Sequence, residues 1–77
     1  EVAKTKSFLL RAVANAKLPS HEHIGIEECL VLEGEFSLGD TTLSAGDYHL
    51  ARAGVIHGVA STKTGVLVYL RAHIDQY

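Results

Sequence analysis

Short runs of strand-forming residues, separated by turn residues, constrain the fold of this chain more than any other feature of its sequence. Leucine, β-branched and aromatic residues recur between Gly, Asp and Ser, and no stretch shows the spacing of an amphipathic helix. The pattern predicts eight strands, at Lys6–Val13, Ser20–Ile24, Glu28–Glu33, Glu35–Leu38, Thr41–Leu43, Tyr48–Ala51, Ile56–Ser61 and Gly65–Ala72. Many short strands of this kind are typical of an all-β sandwich or barrel.

Turn residues give the clearest local prediction. Gly39-Asp40 separates Phe36-Ser37-Leu38 from Thr41-Thr42-Leu43. A two-residue loop with Gly first predicts a tight β-hairpin, because Gly readily adopts the positive φ that such a turn needs. Further turns are predicted at Gly46-Asp47, Ala53-Gly54 and Lys63-Thr64-Gly65.

Length and composition restrict the chain to one small domain. It has 77 residues, of which 47% are hydrophobic and 21% charged, so it is too apolar for a disordered tail and too charged for a membrane protein. No apolar run approaches the roughly 18 residues that cross a bilayer, and no signal-peptide pattern is present. We therefore expect a soluble, cytoplasmic protein with no membrane partner.

Charge and cysteine content limit the partners and the sources of stability. The net charge is -2 and the basic residues are scattered, which argues against a nucleic-acid partner. Cys29 is the only cysteine, so no intrachain disulfide stabilises the small core, and a metal ion or a partner chain is the natural substitute. The sequence contains no methionine, and we expect it to be part of a longer protein.

Two segments are apolar on both strand faces, namely Cys29-Leu30-Val31-Leu32 and Val66-Leu67-Val68-Tyr69-Leu70. A strand with one face in water would alternate, so both faces must be covered. Because a single barrel has only one interior, this pattern predicts a homodimer. The alternative is that N-terminal residues of a longer protein cover the outer face.

His21 and His23 lie two residues apart, so their side chains project from the same side of an extended strand. Neutral imidazoles are the commonest metal ligands in proteins. A His-x-His pair also arises by chance in a chain with five histidines, so the pair needs further ligands to define a site.

The order of the residues that follow resembles the two motifs of the cupin superfamily. These motifs read His21-x-His23-x-x-x-Glu27, with Gly34 closing the next strand, and Gly46 followed by Arg52-x-Gly54-x-x-His57. The resemblance implies a small cupin barrel, that is, a double-stranded β-helix or jelly roll, with residues 1–77 as a single domain. It also implies that His21, His23, Glu27 and His57 are metal ligands.

The strand after the first motif resembles one subfamily of the cupins in particular. The segment from Glu27 to Phe36 is similar to the cupin domain of ChrR-type anti-sigma factors, a subfamily that also includes metal-dependent dioxygenase relatives. Adjacent strand residues face opposite ways, so only one of Glu27 and Glu28 points inward, and the family spacing selects Glu27. Arg52 departs from the pattern, because cupins usually have Pro there, and this puts the turn before Gly54 in question.

Three imidazoles and one carboxylate suit a divalent ion. They neutralise one of its two charges and leave one or two coordination positions open for water or a small-molecule ligand. Such a site admits zinc, iron, manganese, nickel or copper, and the sequence does not choose among them.

Other reactive side chains fit neither motif. His49 is predicted to be a surface or core histidine, although it could approach the cavity, and His73 is predicted to be solvated. Cys29 shares the strand face of Glu27 and is predicted to be a small buried apolar residue, with a sulfur-ligand or redox role as the alternative.

Three functions stay open. The first is a metal-binding domain with a regulatory or ligand-sensing role, as the resemblance to ChrR-type domains implies. The second is a metal-dependent dioxygenase acting on a small carbonyl compound, for which no acid or base is evident beyond the ligands. The third is a barrel whose metal only supports folding. Whether the chain is an enzyme, and which residues would be catalytic, is left undecided.

Overall fold

Antiparallel strands joined by turns make up the computed structural model. It describes residues 4–18, 21–54, 56–57 and 59–75, and of residues 18, 21, 22, 56 and 57 it describes the backbone only. The strands are β1 (Thr5–Ala12), β2 (Lys17–Leu18), β3 (His21–Glu22), β4 (Glu27–Leu38), β5 (Thr41–Ser44), β6 (Tyr48–Ala51), β7 (Ile56–His57), β8 (Ala60–Ser61) and β9 (Val66–His73). The predicted all-β class is confirmed.

The long strand β4 connects the two halves of the main sheet. Its first half lies between β6 and β9, with β1 outside β9, and its second half pairs with β5 and β8, with β2 outside β8. β3 and β7 form a separate two-stranded ladder. Because β4 takes part in both halves, residues near its start and its end face one common interior.

Gly34 does not end a strand, which corrects the prediction of two strands at Glu28–Glu33 and Glu35–Leu38. β4 runs on through it, with a shift of register against β9 between Val31 and Glu33. Gly34 has a φ of 79°, and a Cβ built on it would overlap the carbonyl oxygen of Gly65. Gly34 follows the bulge and permits a close approach of the backbone of Gly65, and it does not form a turn.

Two other predicted strands differ by more than a one-residue shift from the strands observed. The strand expected at Ile56–Ser61 is divided into β7 and β8, because β7 pairs with β3 whereas β8 pairs with β2 and β4. Of the strand expected at Ser20–Ile24, Ser20 lies outside the described residues, His21–Glu22 form β3, and the two residues after them are not in a strand. Strand β2 was not predicted. These short strands are set by their partners across the barrel more than by their own composition.

The hairpin at Gly39-Asp40 is confirmed. Leu38 pairs with Thr41 at the end of the β4–β5 ladder, which leaves a loop of two residues, and Gly39 has a φ of 58°. The first central residue of the turn therefore has the positive φ that only Gly adopts without strain.

The core lies on the inward face that β4 and β9 share as neighbouring strands of one sheet. Alternate residues of these strands are buried and, with Leu43, form one cluster of Cys29, Val31, Leu43, Val66, Val68 and Leu70. Side chains of β1 and the second half of β4 pack against this cluster. None of the described residues belongs to a helix that is long and apolar enough to cross a membrane.

Candidate metal centre

His23 and Glu27 form a buried polar pair at the start of β4. The Nδ1 of His23 lies 2.9 Å from Oε1 of Glu27, and the two residues are 1% and 7% exposed. Glu27 is the first residue of β4 and shares its inward face with Cys29 and Val31. The two atoms are close enough to interact electrostatically, but their alignment does not make a hydrogen bond, so the contact does not satisfy the buried Nδ1 of His23.

His21 and His57 are opposite one another in the β3–β7 ladder. The register pairs His21 with His57 and Glu22 with Ile56. Directly opposed residues of an antiparallel pair have Cβ atoms about 5 Å apart on the same face. The backbone thus brings the two histidines together from positions far apart in the sequence, while their imidazoles lie outside the described side chains.

A hydrogen bond joins the two halves of the candidate centre. The backbone N–H of Gly54 donates to the carbonyl oxygen of His23 over 2.8 Å. Gly54 has a φ of 83° and forms a turn with Ala53, so the turn is present although Arg52 stands where cupins usually have Pro. The chain enters β7 two residues after Gly54, and the turn therefore determines where His57 lies relative to His23.

The four predicted ligands thus form two pairs of neighbours, and the binding of one metal ion by all four stays a prediction. His23 and Glu27 are in contact, and His21 and His57 are cross-strand neighbours. Among the side chains that the structure describes, no three His, Cys, Asp or Glu groups are arranged to hold a metal. Two of the four predicted ligands fall outside those side chains. The donor types and the buried His23–Glu27 pair fit a divalent ion.

Glu28 faces away from the interior, as the alternation along the strand predicts. It is partly exposed, and its Oε1 accepts a hydrogen bond of 2.9 Å from the hydroxyl of Tyr48 on the outer side of β6. This hydrogen bond is the main cause that raises the pKa of Tyr48 above its ordinary value of 10.0. Tyr48 is 56% exposed and does not line the interior.

An apolar cavity of about 170 Å³ opens inside the barrel beside Glu27. Its walls are mostly aliphatic, and His49 and Cys29 line it together with Glu27. His49 is half-buried and lies directly opposite Cys29 in the β4–β6 ladder. His49 thus belongs to the cavity wall rather than to the surface. The sequence signal for this position is the shared face of His49 and Ala51, which is buried.

Cys29 behaves as the predicted small buried residue. It is 6% exposed and belongs to the core cluster. Burial, and secondarily the negative charge of Glu27, raises the pKa of the Cys29 thiol to about 11. The thiol is therefore protonated near neutral pH in the metal-free chain.

His73 is not freely solvated, which corrects the prediction for this residue. Its side chain is 24% exposed, and a Cβ built on Gly25 would lie 3.3 Å from the Cβ of His73. Gly25 therefore leaves room for His73 at the end of β9. The contact lies on the outward face of β9, away from the interior cavity.

The antiparallel strands, their common interior and the paired motifs define a small cupin barrel. The profile of the ChrR cupin-like domain matches residues 2–74, and the chain belongs to that family. No curated protein matches the sequence.

Solved structures with the same fold include proteins of different kinds. An acetylacetone dioxygenase from Acinetobacter johnsonii superposes with a TM-score of 0.83 at 20% identity, over 91% of this chain and 51% of that chain. The Rhodobacter sphaeroides complex of SigE with the anti-sigma ChrR gives 0.82 at 24% identity, over 91% and 39%. An RmlC-like cupin from Shewanella frigidimarina gives 0.81 at 22% identity, over 95% and 68%.

At these identities the likeness establishes the fold. The chain spans about half the length, or less, of the dioxygenase and ChrR chains that it matches. The activities and partners of those longer proteins therefore support only proposals about the present chain.

Proposed function

We propose that this chain is a metal-binding cupin domain with a regulatory or ligand-sensing role, in which His21, His23, Glu27 and His57 hold one divalent ion. The buried contact between His23 and Glu27 carries the proposal. The opposed positions of His21 and His57 support it, because they bring two more imidazole-bearing residues to one ladder.

Because His23 and Glu27 are buried, a bound metal ion explains their contact better than an ion pair that only stabilises the fold. An isolated buried pair contributes little net stability, since removing both groups from water offsets their attraction. A divalent ion adds a much stronger interaction with the same nitrogen and oxygen atoms. Three imidazoles and one carboxylate leave one or two positions for water or a small ligand, and the ion is zinc, iron, manganese, nickel or copper according to supply.

The family and one structural neighbour support the proposed regulatory role. The chain belongs to the ChrR cupin-like family, and the ChrR protein of Rhodobacter sphaeroides is found in complex with the sigma factor SigE. In the proposed role, the ion and its ligand change the stability of the barrel, and a partner protein responds to that change. A cytoplasmic location and a homodimer, both expected from the sequence, are part of this proposal.

A metal-dependent dioxygenase of small carbonyl compounds is the second candidate. The cavity favours it, because about 170 Å³ next to Glu27 is similar to the roughly 150 Å³ of an apolar cavity that binds benzene, so it has space for a small organic ligand. The ion would supply a Lewis acid at the polar end of this space. The similar fold of the acetylacetone dioxygenase supports the same candidate.

Metal content and affinity test the proposal. We expect one divalent ion per chain by elemental analysis, and a decrease of metal affinity by ten- to a hundredfold or more in His57→Ala. The matched control is His73→Ala, because His73 lies on the outward face of β9 and is not one of the four predicted ligands. An unchanged affinity in His57→Ala would remove this residue from the ligand set.

Oxygen consumption separates the two candidates. The chain is loaded anaerobically with ferrous ion, and oxygen uptake is then measured with small diketones and hydroxyketones. Uptake that requires both iron and His57 establishes the dioxygenase. Tight metal binding without uptake favours the regulatory domain, and stabilisation by metal with no effect of any small ligand indicates a structural ion.

A further inference from the structure

An apolar row crosses the outer face of the sheet formed by β1, β9, β4 and β6. Leu9 pairs with Tyr69, Tyr69 with Leu30, and Leu30 with Tyr48, so one side chain from each strand lies in the row. Leu9 is 62% exposed and Tyr48 is 56% exposed. A continuous apolar strip of this kind on a small domain marks an interaction surface.

The two tyrosines of the row direct their hydroxyls toward their own chain. Tyr69 donates to the Oγ of Ser7 over 2.9 Å, and Tyr48 donates to Oε1 of Glu28 over 2.9 Å. Both rings are thereby held along the sheet. The surface that they offer to a partner is mainly aromatic carbon.

Two opposite charges lie next to the row. Arg71 pairs with Glu28 across β9 and β4, one position further along the outer face than Tyr69 and Leu30. Arg71 is exposed, and the ion pairs in the described part of the chain do not include it. The apolar row is therefore flanked by a basic group on β9 and an acidic group on β4, one on each side of the line between these two strands.

This layout is self-complementary about one two-fold axis. An axis parallel to the strands, between β9 and β4, exchanges β9 with β4 of a second copy and β1 with β6. Arg71 then faces the partner's Glu28, and Tyr69 faces the partner's Leu30. An axis perpendicular to the strands would instead set Arg71 against the partner's Leu67, which leaves a charge against an apolar group.

We propose that a second copy of this chain docks on the outer face of β1, β9, β4 and β6 about the axis between β9 and β4, with Arg71 of each copy against the partner's Glu28. This inference deepens the proposed homodimer and is independent of the metal. Face-to-face sheets pack about 10 Å apart, with their strands crossing at roughly 30°. Because of this angle the two faces diverge away from the axis, so the contacts nearest the axis are the closest ones.

The size of the face predicts a weak dimer. Three strands roughly 26 Å long and the shorter β6, all about 4.8 Å apart, present roughly 440 Å² per copy, or about 900 Å² for the pair. This is near the lower limit for specific interfaces. We expect dissociation in the micromolar range, so the association must be measured over a wide range of concentration.

Analytical ultracentrifugation of the chain from about 1 to 500 μM provides the test. We expect the mass to rise toward twice 8.3 kDa. Leu9→Lys should raise the dissociation constant at least tenfold, because it inserts a charge into the row. The matched control is Val13→Lys, since Val13 is 74% exposed and lies beyond the end of β1. Circular dichroism checks that each variant is folded.

Charge reversal tests the register. Arg71→Glu should weaken the dimer because it opposes two carboxylates, and Glu28→Arg should weaken it because it opposes two guanidinium groups. The double variant Arg71→Glu/Glu28→Arg should restore association to within a fewfold of the original. Failure of the double variant to restore association overturns the proposed axis.

The remaining outcomes separate this inference from the homodimer itself. A dimer that is unaffected by both Leu9→Lys and Arg71→Glu is held by another face, which overturns the interface and keeps the homodimer. A monomer at every concentration overturns both. In that case the outer face is free for a different partner or for another segment of a longer protein.

Discussion

Gly54 donates its backbone N–H to the carbonyl oxygen of His23, over 2.8 Å. This hydrogen bond connects the turn that precedes β7 with the residue that carries the most buried imidazole of the described chain. His23 and Gly54 are 31 positions apart in the sequence. This backbone contact, together with the β3–β7 ladder, joins two segments that are far apart in the sequence.

Gly54→Ala tests whether this contact positions the metal ligands. Gly54 has a φ of 83°, so Ala should cost about 1 kcal/mol or more in folding free energy, although a Cβ there has open space around it. Gly46→Ala is the matched control, because Gly46 has a φ of 93° with equally open surroundings. We expect similar losses in urea denaturation, and loss of zinc affinity by titration calorimetry in Gly54→Ala only. Equal affinities in both variants would contradict the positioning role.

Glu27→Gln and Glu28→Gln form a pair that tests the alternation along β4. Glu27 is buried beside His23, whereas Glu28 binds Tyr48 on the outer face. Gln keeps the shape and removes the charge, so metal affinity should fall on the order of tenfold or more in Glu27→Gln and stay within about twofold in Glu28→Gln. Metal titrations at one pH compare them. A larger loss in Glu28→Gln would reverse the assignment.

Metal removal should lower the thermal stability of the chain. An ion present at about a hundred times its dissociation constant stabilises the folded state by about 2.7 kcal/mol. For a domain of this size, each 1 kcal/mol shifts Tm by roughly 4–8 °C, so chelation should lower Tm by about 10–20 °C. Scanning calorimetry with and without chelator measures this. An identical Tm in both conditions argues against the proposed site.

Cys29 should react slowly with alkylating reagents in the metal-free, folded chain. Burial raises the pKa of its thiol from 9.0 to about 11, so the reactive thiolate is about a hundredfold scarcer near neutral pH than in an ordinary thiol. The labelling rate should rise as the pH increases toward about 11, and it should rise sharply in urea. Mass spectrometry follows the reaction. Labelling of the folded chain at pH 7.5 as fast as that of a free thiol would contradict this environment.

Gly34→Ala should be among the most destabilising single substitutions in the barrel. Gly34 has a φ of 79°, and a Cβ there would overlap the carbonyl oxygen of Gly65. Strain and overlap together should cost about 3 kcal/mol or more. Gly39→Ala is the control, because Gly39 has a φ of 58° and a Cβ built on it would have open space around it. Urea denaturation should separate them by about 2 kcal/mol, and equal midpoints would contradict the close approach.

Local features of the fold could be predicted from neighbouring residues. The hairpin at Gly39-Asp40 depends on one turn, and the inward face of Glu27 and Cys29 depends on the alternation of a strand. The family could be predicted because its motifs are read along the chain, and the match over residues 2–74 confirms it. The complete ligand set of His21, His23, Glu27 and His57 stays a prediction.

Features that depend on distant partners could not be predicted in the same way. The sequence by itself determined the all-β class and the turns, because each is encoded within a few positions, and it predicted the metal ligands from the family motifs. Only the tertiary structure decided that β4 continues through Gly34, that His49 lines the cavity and that His21 lies opposite His57. The physical reason is that strand pairing joins backbones far apart in the chain, so register and burial depend on the partner strand.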